Sequence, residues 1–106
     1  MPKGVIRKAF VMKLLPGCEE EYERLNHSIW VELRIKFKEY GLHNYSIFRE
    51  GLTLFISFEI EDVARWEALV ETPIYRKWRN LLAPLVESNP DNSPITIELR
   101  EVVHID

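Results

Sequence analysis

The spacing of apolar residues alternates along this chain between two periods, and the order of this alternation restricts the fold more than any single motif does. Residues 5–14 carry apolar side chains at every second position, which predicts a β-strand. From residue 19 to about residue 40 the period is that of an α-helix, which Gly41 is placed to end. Residues 43–50 and 52–60 meet at Gly51 and predict a β-hairpin.

The second half of the chain repeats the change from helix to strand. A helical pattern covers about residues 62–85, and Thr72-Pro73 predicts a break within it, because Thr is a good helix N-cap and Pro a good first helical residue. A polar turn at 88–94 precedes a last predicted strand at 95–105. The order β-α-β-β-α-β predicts an α+β fold of the ferredoxin-like type, with one antiparallel sheet and both helical regions on one face.

Size and composition predict one globular domain over residues 1–106, since 106 residues with 46% hydrophobic and 29% charged side chains suit a single core. A net charge of −3 gives no electrostatic reason to bind nucleic acid or a membrane surface. The N-terminus lacks the pattern of a signal peptide, and Cys18 has no second cysteine to pair with, so we expect a cytoplasmic protein. The usual metal and nucleotide motifs are absent.

One face of the predicted sheet has no helix to cover it. Its apolar content favours a homodimer formed by packing two such faces together, and it comes from four residues, Ala9, Val11, Phe55 and Val102. The alternative is a sheet face in contact with water through its charged residues, Arg7, Lys13, Glu59 and Arg100.

The first predicted helix carries adjacent polar residues whose directions differ. Counting about 100° per residue from Tyr22, Asn26 lies about 40° away and falls within the apolar stripe. His27 lies about 140° away, on the polar face. We therefore expect Asn26 to face a cleft between helix and sheet together with Tyr22, and His27 to face outward. The alternative for Asn26 is a hydrogen bond to a neighbouring strand or to water.

Aromatic residues supply the other candidate binding groups. Trp30, Trp66 and Trp78 can fill the core, or they can stack on the apolar faces of sugar rings. In "YRKW" (75–78), Tyr75 and Trp78 share a helical face, with Arg79 beside them. Together with Tyr45, these side chains would make a pocket that binds hydroxyl groups.

Several stretches resemble the L-rhamnose mutarotase family. They are "IRKAFVMKLLPGCEEEY", "IW.EL", "HNYSIF", "RW" and, most specifically, "NPDNSPITIELREV", and the resemblance runs from about Ile6 to Val103. It implies a dimeric α/β barrel of ferredoxin-like subunits that interconverts the α and β anomers of L-rhamnose inside the cell, without a cofactor.

The resemblance also implies site residues. The family's substrate-binding tyrosines match Tyr22 and Tyr45, and its tandem tryptophans match Trp78 and Arg79, so a guanidinium replaces one indole. The family's proton-donating histidine matches Asn26. An asparagine amide can orient a sugar but cannot exchange a proton usefully, whereas histidine titrates near neutral pH. His27 is therefore the catalytic candidate beside Asn26, and a π-bulge in the helix would turn it inward.

Three alternatives remain open from the sequence. His43 or His104 could supply the acid/base group if either lines the same cleft. The protein could be a non-catalytic sugar-binding or regulatory dimer that has lost the histidine. Cofactor-free monooxygenases share the dimeric barrel architecture, but that reading rests on analogy of fold alone.

Overall fold

The computed structural model describes residues 4–106 and contains one sheet, four α-helices and a short 3₁₀ turn. The strands are β1 (Ile6–Lys13), β2 (Leu42–Glu50), β3 (Thr53–Ile60) and β4 (Ile97–Leu99). The helices are α1 (Glu19–His27), α2 (Val31–Glu39), α3 (Val63–Val70) and α4 (Pro73–Leu82), and the 3₁₀ turn is Ala83–Leu85.

The strands lie in the order β2-β3-β1-β4, and every neighbouring pair is antiparallel. This order, with the helical segments inserted after β1 and after β3, is the ferredoxin-like arrangement that the sequence predicts. The alternating apolar residues of β3 face the helices and form the centre of the core, and all are buried: Leu54, Ile56, Phe58 and Ile60. Leu33 and Leu69 complete this core from the helical side.

The first helical region differs from the prediction, because it is two helices and not one. α1 ends at His27, where the Ser28 amide donates to the Leu25 carbonyl and tightens the last turn. Trp30 then takes an extended conformation (φ −59°, ψ 134°), and α2 begins at the next residue. The residues at the junction are weaker helix formers than Ala, Leu or Glu, and the Trp30 indole packs against Trp78. Tertiary packing therefore ends a helix that the apolar period alone would continue.

The predicted break in the second helical region is confirmed. α3 begins after Asp62, whose side chain accepts a hydrogen bond from the Arg65 amide. α4 begins with Pro73, and the Thr72 hydroxyl accepts from the Tyr75 amide at 3.4 Å. Both caps satisfy backbone donors that have no partner within their own helix.

The last strand is shorter than predicted, since pairing with β1 covers only Ile97–Leu99 and residues 100–106 belong to no helix or strand. The Arg7 and Glu101 side chains contact each other at 2.6 Å, so the tail runs close to β1 without backbone pairing. The apolar residues of the tail are largely exposed: Val102, Val103 and Ile105. No surface within the described chain covers them, and burial therefore does not hold the tail in the sheet.

The sheet face opposite the helices is partly apolar, as predicted, but Val102, which the sequence places on this face, lies in the tail beyond β4. Its residues include several exposed hydrophobic side chains, contributed by Phe48, Phe55, Ile97 and Leu99. Within residues 4–106, none of the helices is long and apolar enough to cross a bilayer.

Candidate active site

Two cavities adjoin each other on the helical side of the sheet. The larger is an open groove of about 1050 Å³ between the α1–α2 segment and the edge strand β2. The smaller, of about 250 Å³, lies between the sheet and helices α3 and α4. Phe37, Leu42 and Tyr45 line both cavities, so Tyr45 lies at their boundary.

Tyr22 enters the larger cavity from α1 and is buried. Burial raises the pKa of its hydroxyl to about 12, although the neighbouring Asn26 amide acts in the opposite direction. The phenol is therefore neutral at physiological pH. It can orient a ligand through hydrogen bonds, but it cannot serve as a base there.

Asn26 and His27 both line the larger cavity, and Asn26 is the more buried of the two. The Asn26 side chain is half-buried, and its amide nitrogen donates to the Tyr22 backbone carbonyl at 2.9 Å. His27 is exposed. α1 is a regular α-helix through His27, without the π-bulge that would turn His27 inward.

Tyr45 reaches the cavities because β2 contains a one-residue bulge between His43 and Ser46. Asn44, inside the bulge, has a positive φ of 54°, which asparagine tolerates better than most residues. The Tyr45 ring stacks on Phe58 at 5.8 Å and lies against Phe37 at 5.4 Å. Although 41% of the residue's surface is exposed, desolvation of the hydroxyl raises its pKa well above the ordinary value.

Tyr75 is a third tyrosine of the site, and the sequence already makes it a candidate for a hydroxyl-binding pocket. It lines the smaller cavity from α4 together with Tyr45. Burial raises the pKa of Tyr75, and the Arg79 guanidinium opposes this effect. The charge of Tyr75 also raises the pKa of Tyr22 and of Tyr45, and that of Tyr22 raises the pKa of Tyr45. The three phenols therefore form one electrostatically coupled group.

Trp78 and Arg79 are adjacent in sequence but occupy different places. Trp78 is buried and packs edge-on against Trp30, with ring centroids 5.1 Å apart, and it lines neither cavity. The structure thus brings Tyr22 and Tyr45 together but not Trp78. Arg79 lines the smaller cavity, and its buried Nε has no hydrogen-bond partner among the described residues.

Of the histidines left open by the sequence, His43 lines the larger cavity and His104 lines neither. His43 Nε2 lies 2.7 Å from Glu61 Oε2, and this hydrogen bond lowers the pKa of the Glu61 carboxyl. Because a carboxylate only accepts, a neutral His43 donates Nε2–H and keeps Nδ1 free to take a proton. His104 contacts Asp106 in the exposed tail.

The "NPDNSP" segment (89–94) forms a tight turn beside the smaller cavity. The Asn89 amide donates to the Ser93 carbonyl at 2.8 Å, and the Ser93 amide donates to the Asp91 carboxylate at 3.0 Å. Asn92 takes a positive φ of 69° within this turn. These bonds fix Ser93 and Pro94 in the cavity wall. Within residues 4–106, no three His, Cys, Asp or Glu side chains are grouped as a metal site would require.

The fold and the two aromatic, hydroxyl-bearing cavities define a ferredoxin-like α+β protein with a site suited to a small polyhydroxylated ligand. The family model described as L-rhamnose mutarotase matches residues 7–105. The chain belongs to the L-rhamnose mutarotase family, and the resemblance found in the sequence is confirmed.

Individual relatives cover nearly the whole chain. An L-rhamnose mutarotase from Opitutus terrae is 50% identical over 104 residues, spanning 96% of this chain and 100% of that protein. One from Klebsiella pneumoniae is 44% identical over 103 residues, spanning 95% and 99%. The crystal structure of a Formosa agariphila L-rhamnose mutarotase matches at a TM-score of 0.85 and 34% identity, covering 95% and 99%. A putative antibiotic biosynthesis monooxygenase from Bordetella bronchiseptica shares the fold alone (TM-score 0.70, 17% identity, covering 94% and 99%).

Proposed function

We propose that this protein interconverts the α and β anomers of L-rhamnose, or of a closely similar aldose, without a cofactor. Relatives that match nearly the full chain are named L-rhamnose mutarotase, which supports an isomerase acting on a carbohydrate over a non-catalytic sugar-binding protein. The observation that carries the proposal is the meeting of Tyr22 and Tyr45 at adjoining cavities, with imidazoles lining the larger one.

Mutarotation of a pyranose requires two proton transfers and no net oxidation. The anomeric hydroxyl loses its proton, the bond between the anomeric carbon and the ring oxygen breaks, and the ring oxygen takes up a proton. The resulting open-chain aldehyde rotates about its first carbon–carbon bond, and the ring closes by the reverse steps on the other face. A group with a pKa near neutrality catalyses these steps most effectively.

The residues divide these tasks between binding and proton transfer. Tyr22 and Tyr45 remain neutral because their pKa values are raised, and they orient sugar hydroxyls through hydrogen bonds. Asn26 positions the sugar beside Tyr22, and Arg79 binds the sugar from the wall of the smaller cavity. Proton transfer falls to an imidazole of the larger cavity, for which His27 and His43 are the candidates. Because Trp78 lines neither cavity, it supports the site through packing against Trp30 and not through sugar contact.

The proposed assembly is a homodimer formed by the helix-free sheet face, which gives the dimeric α/β barrel. Exposed Phe48, Phe55, Ile97 and Leu99 support this, because an apolar patch of this kind on a small domain favours association. The acidic charge balance and single cysteine support a cytoplasmic protein with neither nucleic acid nor membrane among its partners.

The direct test is NMR saturation transfer between the anomeric proton signals of L-rhamnose, with and without protein. We expect the protein to accelerate exchange above the spontaneous rate measured in the same buffer. The matched control is a Tyr22→Phe, Tyr45→Phe double variant, checked for folding by circular dichroism, which should lose most of the acceleration. Sugar binding without faster exchange would support the non-catalytic alternative, and neither binding nor exchange would contradict the proposal.

A further inference from the structure

Among the arginines of residues 4–106, Arg79 has a buried donor nitrogen without a hydrogen-bond partner. Five arginines contact a carboxylate, namely Arg7, Arg24, Arg49, Arg65 and Arg76. The Arg79 side chain forms no ion pair or hydrogen bond with any residue in the described part of the chain, and its Nε is buried. A buried donor without a partner is unfavourable, so the observation points to a partner that comes from outside the chain.

The cavity around Arg79 is positively charged and has room for one small molecule. Its volume is about 250 Å³, and no acidic side chain lines it. Arg79 contributes to lowering the pKa of Asp91, but this carboxylate does not line the cavity and is hydrogen-bonded to Ser93. Polar groups from Tyr45 and Tyr75 lie in the same wall, and the remainder is largely apolar. The guanidinium therefore lacks a counter-ion within the cavity that it lines.

Carboxylate is the ligand group that matches an unpaired guanidinium, since the two form a pair of parallel, charge-assisted hydrogen bonds. A neutral 6-deoxy sugar such as L-rhamnose carries a methyl group at C6 and cannot supply this charge. A sugar of the same ring configuration with a carboxylate at C6 supplies it without changing the anomeric centre.

We propose that Arg79 forms a carboxylate subsite, and that uronic acids are a second substrate class of this protein. This inference rests on the proposed mutarotase function and extends it. The carboxylate remains unchanged during the reaction, because bond breaking and proton transfer take place at the anomeric carbon and ring oxygen. The role of Arg79 is to hold the acid group and to fix the position of the ring against the Tyr45 and Tyr75 hydroxyls.

The test compares L-rhamnose with L-mannuronate, which differs only by a carboxylate in place of the C6 methyl group. Anomer exchange is measured by NMR saturation transfer for both sugars with the wild-type protein and with Arg79→Gln and Arg79→Lys. We expect exchange of L-mannuronate to be accelerated. Arg79→Gln should lower the ratio of the L-mannuronate rate to the L-rhamnose rate by about 10- to 100-fold, the usual range for losing a charge-assisted contact. Arg79→Lys should lower it less, because the charge remains.

The rate ratio separates binding from folding, since partial unfolding of a variant lowers both rates together. Arg76→Gln is the matched control: it removes an arginine from the same helix that is exposed, is paired with Glu71 and lines neither cavity. Acceleration of L-rhamnose exchange alone would overturn the inference and leave the proposed function standing. An unchanged ratio in Arg79→Gln would also overturn it. Acceleration of neither sugar would overturn the proposed function itself.

Discussion

His27 and His43 both line the larger cavity, but only His43 is held in place by another side chain. The His43 imidazole is fixed by Glu61, whereas His27 lies exposed at the end of α1. A catalytic imidazole needs a defined direction and a defined tautomer, and a hydrogen-bonded carboxylate supplies both. The geometry therefore favours His43 as the group that exchanges protons with the sugar.

We expect His43→Ala to lower the rate of L-rhamnose exchange by about 10²–10⁴-fold, the usual contribution of a positioned acid/base group. Glu61→Gln should reduce the rate less and shift its pH profile, because the imidazole stays but loses its carboxylate partner. His27→Ala is the matched control and should change the rate little. Loss of activity in His27→Ala with full activity in His43→Ala would reverse this assignment.

Asn26 lies one helical turn after Tyr22 on α1, so a histidine at this position would place an imidazole beside Tyr22. Asn26→His should raise the rate of L-rhamnose exchange, by up to about 10²-fold, because it adds a titratable group at the half-buried edge of the larger cavity. Asn26→Gln keeps an amide and should give no increase. A decrease in both variants, measured by saturation transfer on folded protein, would mean that the amide is itself required.

The raised pKa of Tyr22 predicts that the free energy of unfolding falls at alkaline pH. The Tyr22 pKa is about 12 in the folded protein against 10.0 ordinarily, so the folded state retains its proton where the unfolded chain has lost it. The protonated Tyr22 hydroxyl makes its full contribution to the free energy of unfolding below pH 10, and this contribution is lost as the pH rises toward 12. Urea unfolding at pH 8 and pH 11 should show the loss, of order 1–3 kcal/mol for one such group. Tyr22→Phe should flatten the pH dependence; an equally steep decline in that variant would contradict the assignment.

At the scale of elements, the sequence predicts the order of strands and helices well, because that order depends on the period of apolar residues. The same pattern gives the Thr72-Pro73 break, which has a local chemical signal. The division of residues 19–40 has no such signal, since it depends on the contact between Trp30 and Trp78, which are far apart in the chain. The bulge that directs Tyr45 to the cavities depends likewise on pairing with β3.

The Trp30–Trp78 contact predicts that Trp78 acts through stability. Trp78 is 7% exposed, so Trp78→Ala should lower the free energy of unfolding by about 3–5 kcal/mol, as expected for removing a buried indole. Trp78→Phe keeps an aromatic ring and should lose less stability and retain sugar binding. Chemical denaturation and sugar titration of both variants provide the measurement. A stable Trp78→Phe protein that no longer binds L-rhamnose would instead place this side chain in direct contact with the sugar.

At the scale of the whole molecule, the tail and the helix-free sheet face share one property. Both expose apolar side chains that the described chain does not cover, from Phe55 on β3 to Val102 and Ile105 beyond β4. The sequence predicts the apolar face from the alternation of the strands, but it overextends the last strand. Alternation continues past Leu99, whereas pairing also needs a surface on which the alternate side chains can be buried. A second copy of the sheet face would supply that surface.

The homodimer prediction follows from this argument and concerns the face formed by Phe48, Phe55, Ile97 and Leu99. Sedimentation equilibrium should give twice the chain mass at micromolar concentration. Phe55→Asp should give monomers, because a carboxylate at the centre of an apolar interface loses its hydration without gaining a partner. Val31→Asp makes the same kind of change at a residue of α2 that is 67% exposed and lies on the opposite side of the molecule, and it should leave the dimer intact. A wild-type monomer at these concentrations would show that water, not a second subunit, covers the open face of the sheet.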